Sequence, residues 1–254
     1  MKNLAISFAT ALVSSVIVYF GLSMLLHGEA LVSLAAVPFS AVSPIYEALE
    51  RRQTTQRIMK APENLPTFDG FAIPWYQVTC YGALTVIGIV QGCTGLGGAL
   101  AARAALAGAV VGDARHVALI AFAIAIPLIL AGFYFLGVWV GVRSGRLGFL
   151  SLLVAIAIGQ AISHTVDFLL APPAQFKAFF GADKTGTMIV LQVIGGIILF
   201  TPIAAVGFWR GRRRRLSRYL FYLLSLLSPE SRTAIVALAY DEARLISSKR
   251  PNAA

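Results

Sequence analysis

The chain has 254 residues, of which 58% are hydrophobic and 13% charged, with a mean hydropathy of +0.79. Soluble domains carry about a quarter charged residues, so this composition excludes an ordinary water-soluble globular protein. The formal net charge of +10 is gathered next to apolar runs, which points to anionic headgroups rather than to nucleic acid.

Five stretches contain no Asp, Glu, Lys or Arg: Leu4–Leu26, Trp75–Leu96, Val117–Val142, Leu147–Val166 and Thr185–Trp209. Each is long enough to cross the roughly 30 Å hydrocarbon core as a helix. The first is preceded by Lys2 and followed only by His27 and Glu29, which puts the amino terminus on the basic side. Gly28-Glu29-Ala30 has the small residues of a signal-peptide cleavage site, but the apolar region before it is too long for that reading. The next segment, Ala30–Tyr46, is uncharged but interrupted by Pro38 and Pro44. It must return the chain to the side of Arg51 and Arg52, so it is read as a span over 30–48. A re-entrant 30–46 would leave five spans.

Residues 61–74 form a polar, proline-punctuated loop, and Pro74 suits the first turn of the helix that follows. That helix carries Gly88, Gly92, Gly95, Gly97 and Gly98 within eleven residues. Gly88 and Gly92 make a GxxxG pair that lets two backbones approach closely. The density beyond Gly92 predicts a break after Gly98, with Arg103 beside the freed amides as a site for an anionic group. Gln91 and Thr94 are the polar side chains of this stretch and join the ligand or ion pathway. Cys80 and Cys93 lie about 20 Å apart along one helix and cannot pair within it.

Beyond it, Asp113 reads as the cap of a helix starting near Ala114, ahead of a span over 117–140. The span over 147–169 carries Gln160, His164 and Asp167 on one helix face, a pattern suited to a proton relay or ion pathway. His27, His116 and His164 all fall at the side opposite the basic one, each near a carboxylate, and would make a metal site only if loops brought two of them together. Pro127 and Pro202 lie within spans.

The sixth span, over 187–209, ends in Arg210, Arg212, Arg213, Arg214, Arg215 and Arg218, a juxtamembrane run expected to grip anionic lipid. Leu216, Tyr219, Leu220, Leu223, Leu226 and Leu227 follow at helical spacing, so residues 210–254 read as a basic amphipathic tail, with a further helix opening at Ser228-Pro229. The regions around Arg51, Arg143 and Arg210 share a side that the Lys/Arg asymmetry makes cytoplasmic, and Trp75, Trp139 and Trp209 fall at its interface.

The expected fold is therefore all-α: a polytopic bundle of six spans over 1–209, both termini cytoplasmic in the inner (plasma) membrane, with a cytoplasmic helical tail. No HExxH, GxSxG or phosphate-loop motif is present, and the residues name no cofactor. The expected function is transport, as a permease or channel subunit for an ion or small anionic solute. The alternative is a non-catalytic scaffold that binds membrane or cytosolic proteins, or further copies of itself, through small-residue helix faces and its tail.

Overall fold

The computed structural model describes residues 2–26, 29–60, 71–106, 111–170 and 185–226. Among them the chain is helical: α1 (Lys2–Leu22), α2 (Glu29–Ala35), a 3₁₀ helix (Val37–Ala41), α3 (Val42–Lys60), α4 (Trp75–Leu106), α5 (Val111–Arg143), α6 (Gly148–Leu170), α7 (Thr185–Arg213) and α8 (Arg215–Leu226). Six helical segments are long and apolar enough to cross a membrane: Asn3–Leu22, Leu31–Gln56, Trp75–Leu96, Ala123–Arg143, Gly148–Leu169 and Ile189–Arg213. The second is not one straight helix. Pro38 opens the 3₁₀ helix, because proline has no amide to give the preceding turn and its ring crowds that turn.

Helix α4 is central, packing on α2, the 3₁₀ helix, α5 and α6. It runs unbroken through all five glycines to Leu106, so the break expected after Gly98 is absent. At Gly88, Gly92 and Gly95 neighbouring backbone or side chain takes up the space the glycine leaves. A Cβ at Gly88 would collide with the backbone of Phe39 and Ser40, one at Gly95 would come within 2.7 Å of the Leu34 amide, and one at Gly92 would meet Val37 at 2.9 Å. The glycines thus seat the kinked second segment, and that close packing offsets their weak helix propensity. Helix α5 begins at Val111, which places Asp113 inside its first turn rather than at a cap near Ala114.

The α5–α7 pair is the most extensive in the bundle, and it rests on two reciprocal GxxxG pairs. Gly137 and Gly141 of α5 lie against the backbone of Ala204 and Phe208, while Gly207 and Gly211 of α7 lie against that of Tyr134 and Val138. Phe133 and Phe200 stack across the same seam at 4.5 Å. Helix α6 closes on α4 where Gly82 meets Ala155 and Gly159 meets Val86. The amino-terminal α1 presents Ser7, Ala11 and Ser15 inward, one small residue per turn, and leaves large apolar side chains such as Ile17 and Phe20 exposed.

Side-chain contacts bring several helix ends together at the arginine-rich end of the bundle. Asn3 and Gln53 exchange amide hydrogen bonds at 3.1 and 2.7 Å, and the Ile73 amide donates to Arg143 O at 2.7 Å. Arg212 Nη1 donates to Ser144 O at 2.9 Å and to Gly145 O at 3.3 Å, fastening α7 to the α5–α6 turn.

Gly88→Ala and Gly137→Ala should each destabilise the protein by about 1–3 kcal/mol through overpacking. Gly195→Ala, with nothing within 4 Å of its Cβ position, should leave stability unchanged or slightly raised. Thermal unfolding in detergent distinguishes the two classes.

Candidate functional site

Two polar networks interrupt the apolar interior. The first lies at the arginine-rich end, where α3 passes α5. Arg143 ends α5 only 2% exposed, although its position before a short loop predicts a solvated charge. A guanidinium stays protonated in a protein, so its burial requires carboxylates. They come from α3. Glu47 and Glu50 are one turn apart and therefore share a face. Arg143 Nη2 donates to Glu50 Oε2, and its Nε lies 2.9 Å from Glu47 Oε1 as an ion contact without hydrogen-bond alignment. Trp139, one turn before Arg143, donates its indole N–H to the same Glu47 oxygen at 2.9 Å. The Phe71 ring covers the guanidinium at 4.3 Å, a cation–π contact, and is itself backed by Tyr219 and Tyr222 of α8.

Two cavities that share part of their wall flank this network. One, of about 510 Å³, lies between α3, α4 and α5 and is walled by Ser40, Ser43, Thr85, Ile89, Phe135 and Leu136, among others. The Ser43 and Thr85 hydroxyls share a hydrogen bond at 3.0 Å. The other, of about 310 Å³, forms the mouth, with Arg51, Arg143, Arg218, Val138 and Phe221 in its wall. Glu47, Phe135 and Trp139 line both, so the ion pair stands at the junction.

The second network joins α4 to α6 in the other half of the bundle. Gln91, 2% exposed, donates to Asp167 Oδ1 at 2.7 Å and to Ser163 O at 3.0 Å. His164 Nε2 meets Gln160 Oε1 at 2.9 Å, while its Nδ1 lies 3.8 Å from Asp167 Oδ2, too far for a hydrogen bond. Gln160 is 1% exposed and pressed against Gly196. Its Nε2 and the Ser163 hydroxyl have no partner, a costly arrangement in an apolar interior. The result is a carboxylate held by an amide donor of α4, with an imidazole one turn away held by Gln160.

No known protein family, no curated protein and no solved structure matches this chain.

Of the residues singled out from sequence, Gln91, Gln160, His164 and Asp167 come together. Thr94 does not join them, since its hydroxyl donates to Val90 O of its own helix at 3.1 Å. Arg103 and His116 lie in α4 and α5, but their side chains fall outside what the structure describes, as do His27 and residues 227–254. Among the described residues no cluster of three His, Cys, Asp or Glu side chains forms a metal set. Arg210, Arg213, Arg214 and Arg218 are exposed, whereas Arg212 is engaged with the α5–α6 turn. Glu47, Glu50, Ser43 and Thr85 did not stand out in the sequence, and Trp139 stood out only as an interfacial residue. The available signal was the i, i+3 pair of carboxylates placed just inside an apolar segment, together with one arginine at the end of another.

Arg143→Ala should cost about 3–5 kcal/mol, the loss typical when one partner of a buried pair is removed. The triple variant Arg143→Met/Glu47→Gln/Glu50→Gln should recover much of it, because no unpaired charge then remains. Denaturation in detergent measures both. For the second network, a double-mutant cycle of Gln91→Leu and Asp167→Leu should show a coupling of about 1 kcal/mol, with the double variant less destabilised than the sum of the two single variants.

Proposed function

We propose that this chain is a multi-pass transport-type protein of the inner membrane, a permease or channel subunit for an ion or small anionic solute, with both termini cytoplasmic. The observation that carries the proposal is the pair of adjoining cavities. They lead from an arginine-lined mouth to the Ser43–Thr85 hydroxyl pair within the apolar part of the bundle. A protein that serves only as structural packing has no use for an open space at that depth, since a void forfeits packing contacts.

The ion pair at the junction is then a gate. While Glu47 and Glu50 hold Arg143, mouth and inner cavity are separated by charged side chains, and their release joins the two. The arginines of the mouth favour an anion. Thr85 and Gln91 are about 9 Å apart along α4, on faces turned to α3 and α6 respectively, so α4 is the element that would couple the inner cavity to the Asp167–His164 network. The exchanged amides of Asn3 and Gln53 support the orientation, because they hold the start of α1 beside the basic part of α3. The positive-inside rule puts that end in the cytoplasm.

A second reading, as a scaffold, rests on a different feature. A groove of about 670 Å³ between α1, α4 and α6 is walled by Leu4, Phe8, Leu84, Ile87, Ile158 and Ile162, among others, and would accept an apolar helix of another subunit.

One labelling experiment separates the readings. In a variant with Cys80 and Cys93 replaced by alanine, Ser40→Cys should react with a membrane-impermeant thiol reagent applied from the arginine-rich side. Adding Glu50→Gln, which loosens the gate, should speed the reaction roughly ten-fold, the effect of about 1.4 kcal/mol on an opening equilibrium. Protection of Ser40→Cys with and without Glu50→Gln would reject the transport reading in favour of the scaffold.

A further inference from the structure

The cavities between α3, α4 and α5 are sorted by polarity along their length. Their charged residues, Arg51, Glu47, Arg143 and Arg218, occur at the mouth. Beyond the junction the wall turns to Pro44, Ile89, Gly132, Phe135 and Leu136, with only hydroxyls for polarity. A small inorganic anion would use the mouth alone and leave the apolar half unexplained. The space also opens sideways. Phe135 is 67% exposed although it lines both cavities, and Pro44 is exposed opposite it. Ile124 and Leu128 continue the exposed apolar stripe of α5 away from the mouth. Helices α3 and α5 are bridged here by long side chains, Arg143 to Glu47 and Glu50 and Trp139 to Glu47, leaving a slot between them.

We propose that this slot binds an anionic phospholipid from the leaflet at the arginine-rich end. Its phosphate lies between Arg51 and Arg218, and an acyl chain runs past Trp139 and Phe135 into the inner cavity. The charge count at the mouth favours it. Both carboxylates of the gate are committed to Arg143, whereas Arg51 and Arg218 are exposed and carry no ion pair among the described residues. Two guanidinium groups lining one mouth, from α3 and α8, match a phosphate, which accepts their charge-assisted hydrogen bonds. The inference deepens the transport reading by naming an anionic amphiphile as the ligand class of its site. The site is distinct from the general attraction of Arg210, Arg213 and Arg214 for headgroups, because those side chains do not line the slot.

Trp139 reports on the slot directly. The full-length Trp75→Phe/Trp209→Phe variant, which retains Trp139 as its one tryptophan, is reconstituted into phosphatidylcholine vesicles. The vesicles contain the same minor fraction of either acyl-brominated phosphatidylglycerol or acyl-brominated phosphatidylcholine. Quenching should show a preference for the anionic lipid of roughly five-fold or more, the worth of one arginine at an anionic surface. Arg51→Gln/Arg218→Gln should abolish the preference, and Arg51→Lys/Arg218→Lys should keep part of it. Arg210→Gln/Arg213→Gln/Arg214→Gln should leave it in place. Equal quenching by the two lipids would overturn the proposal, as would a preference that disappears in the Arg210/Arg213/Arg214 variant and survives in the Arg51/Arg218 variant. Failure here with reactive Ser40→Cys would remove the lipid and leave the transport reading standing. A lipid preference with protected Ser40→Cys would uphold the lipid site and remove transport.

Discussion

A guanidinium that cannot give up its proton is buried at the end of α5, and the arginine-rich end of the bundle is organised around that charge. Its desolvation costs several kcal/mol, and the return comes from three directions at once. Two carboxylates arrive from α3, an aromatic ring from the segment before α4, and the tyrosines of α8 support that ring. The neighbouring Ser144 and Gly145 carbonyls are taken by Arg212 of α7. Elements far apart in the chain are thereby drawn to one place by a single unpaired need, whereas apolar contact alone would leave their relative depth undetermined. Lipid tails are as apolar as Leu and Val, so hydrophobicity does not choose between helix faces inside a bilayer.

Close approach of backbones supplies the rest of the specificity. At Gly137, Gly141, Gly207 and Gly211 the α5–α7 seam has no room for a side chain, and at Gly88 and Gly95 the same holds between α4 and the kinked segment. The two devices act on different parts of the fold. Glycine seams set which helices touch and in what register, and the Arg143 network sets where α3 stands relative to α5. Between α3 and α5 there is charge pairing without a glycine seam, and there the cavities occur.

The class of the fold was legible in the sequence because twenty uncharged residues have few alternatives to a helix. Five of the six candidate spans follow from that pattern, and the sixth from the need to bring Arg51 back to the side of Lys2. The depth of individual charges was not legible. Arg143 looks like a loop arginine because nothing nearby in the chain signals that Glu47 and Glu50, more than ninety residues earlier, come to meet it. The glycines of α4 illustrate the opposite error. Read alone, their density implies a loosened helix, whereas in the bundle each of Gly88, Gly92 and Gly95 is filled by backbone or side chain from the segment before α3. For the polar cluster, the i, i+3 and i, i+4 spacings of α6 brought Gln160, His164 and Asp167 together correctly, since one helix fixes their geometry. The role of Gln91 as donor to Asp167 required the α4–α6 contact.

The seating of Ser40 against Gly88 also has a mechanical consequence. The α5–α7 seam, locked backbone to backbone, is the stiff wall of the slot, and α3 is the wall that can give. Its near end is pinned where the 3₁₀ helix meets α4, and its far end is held by side chains alone, so α3 is a lever with Ser40 and Gly88 as its fulcrum. Glu50 lies about 15 Å along that lever, and a tilt of roughly ten degrees carries it about 2.5 Å, enough to part it from Arg143 while the glycine seams stay closed and only the contacts of α3 with α1 and α8 must follow.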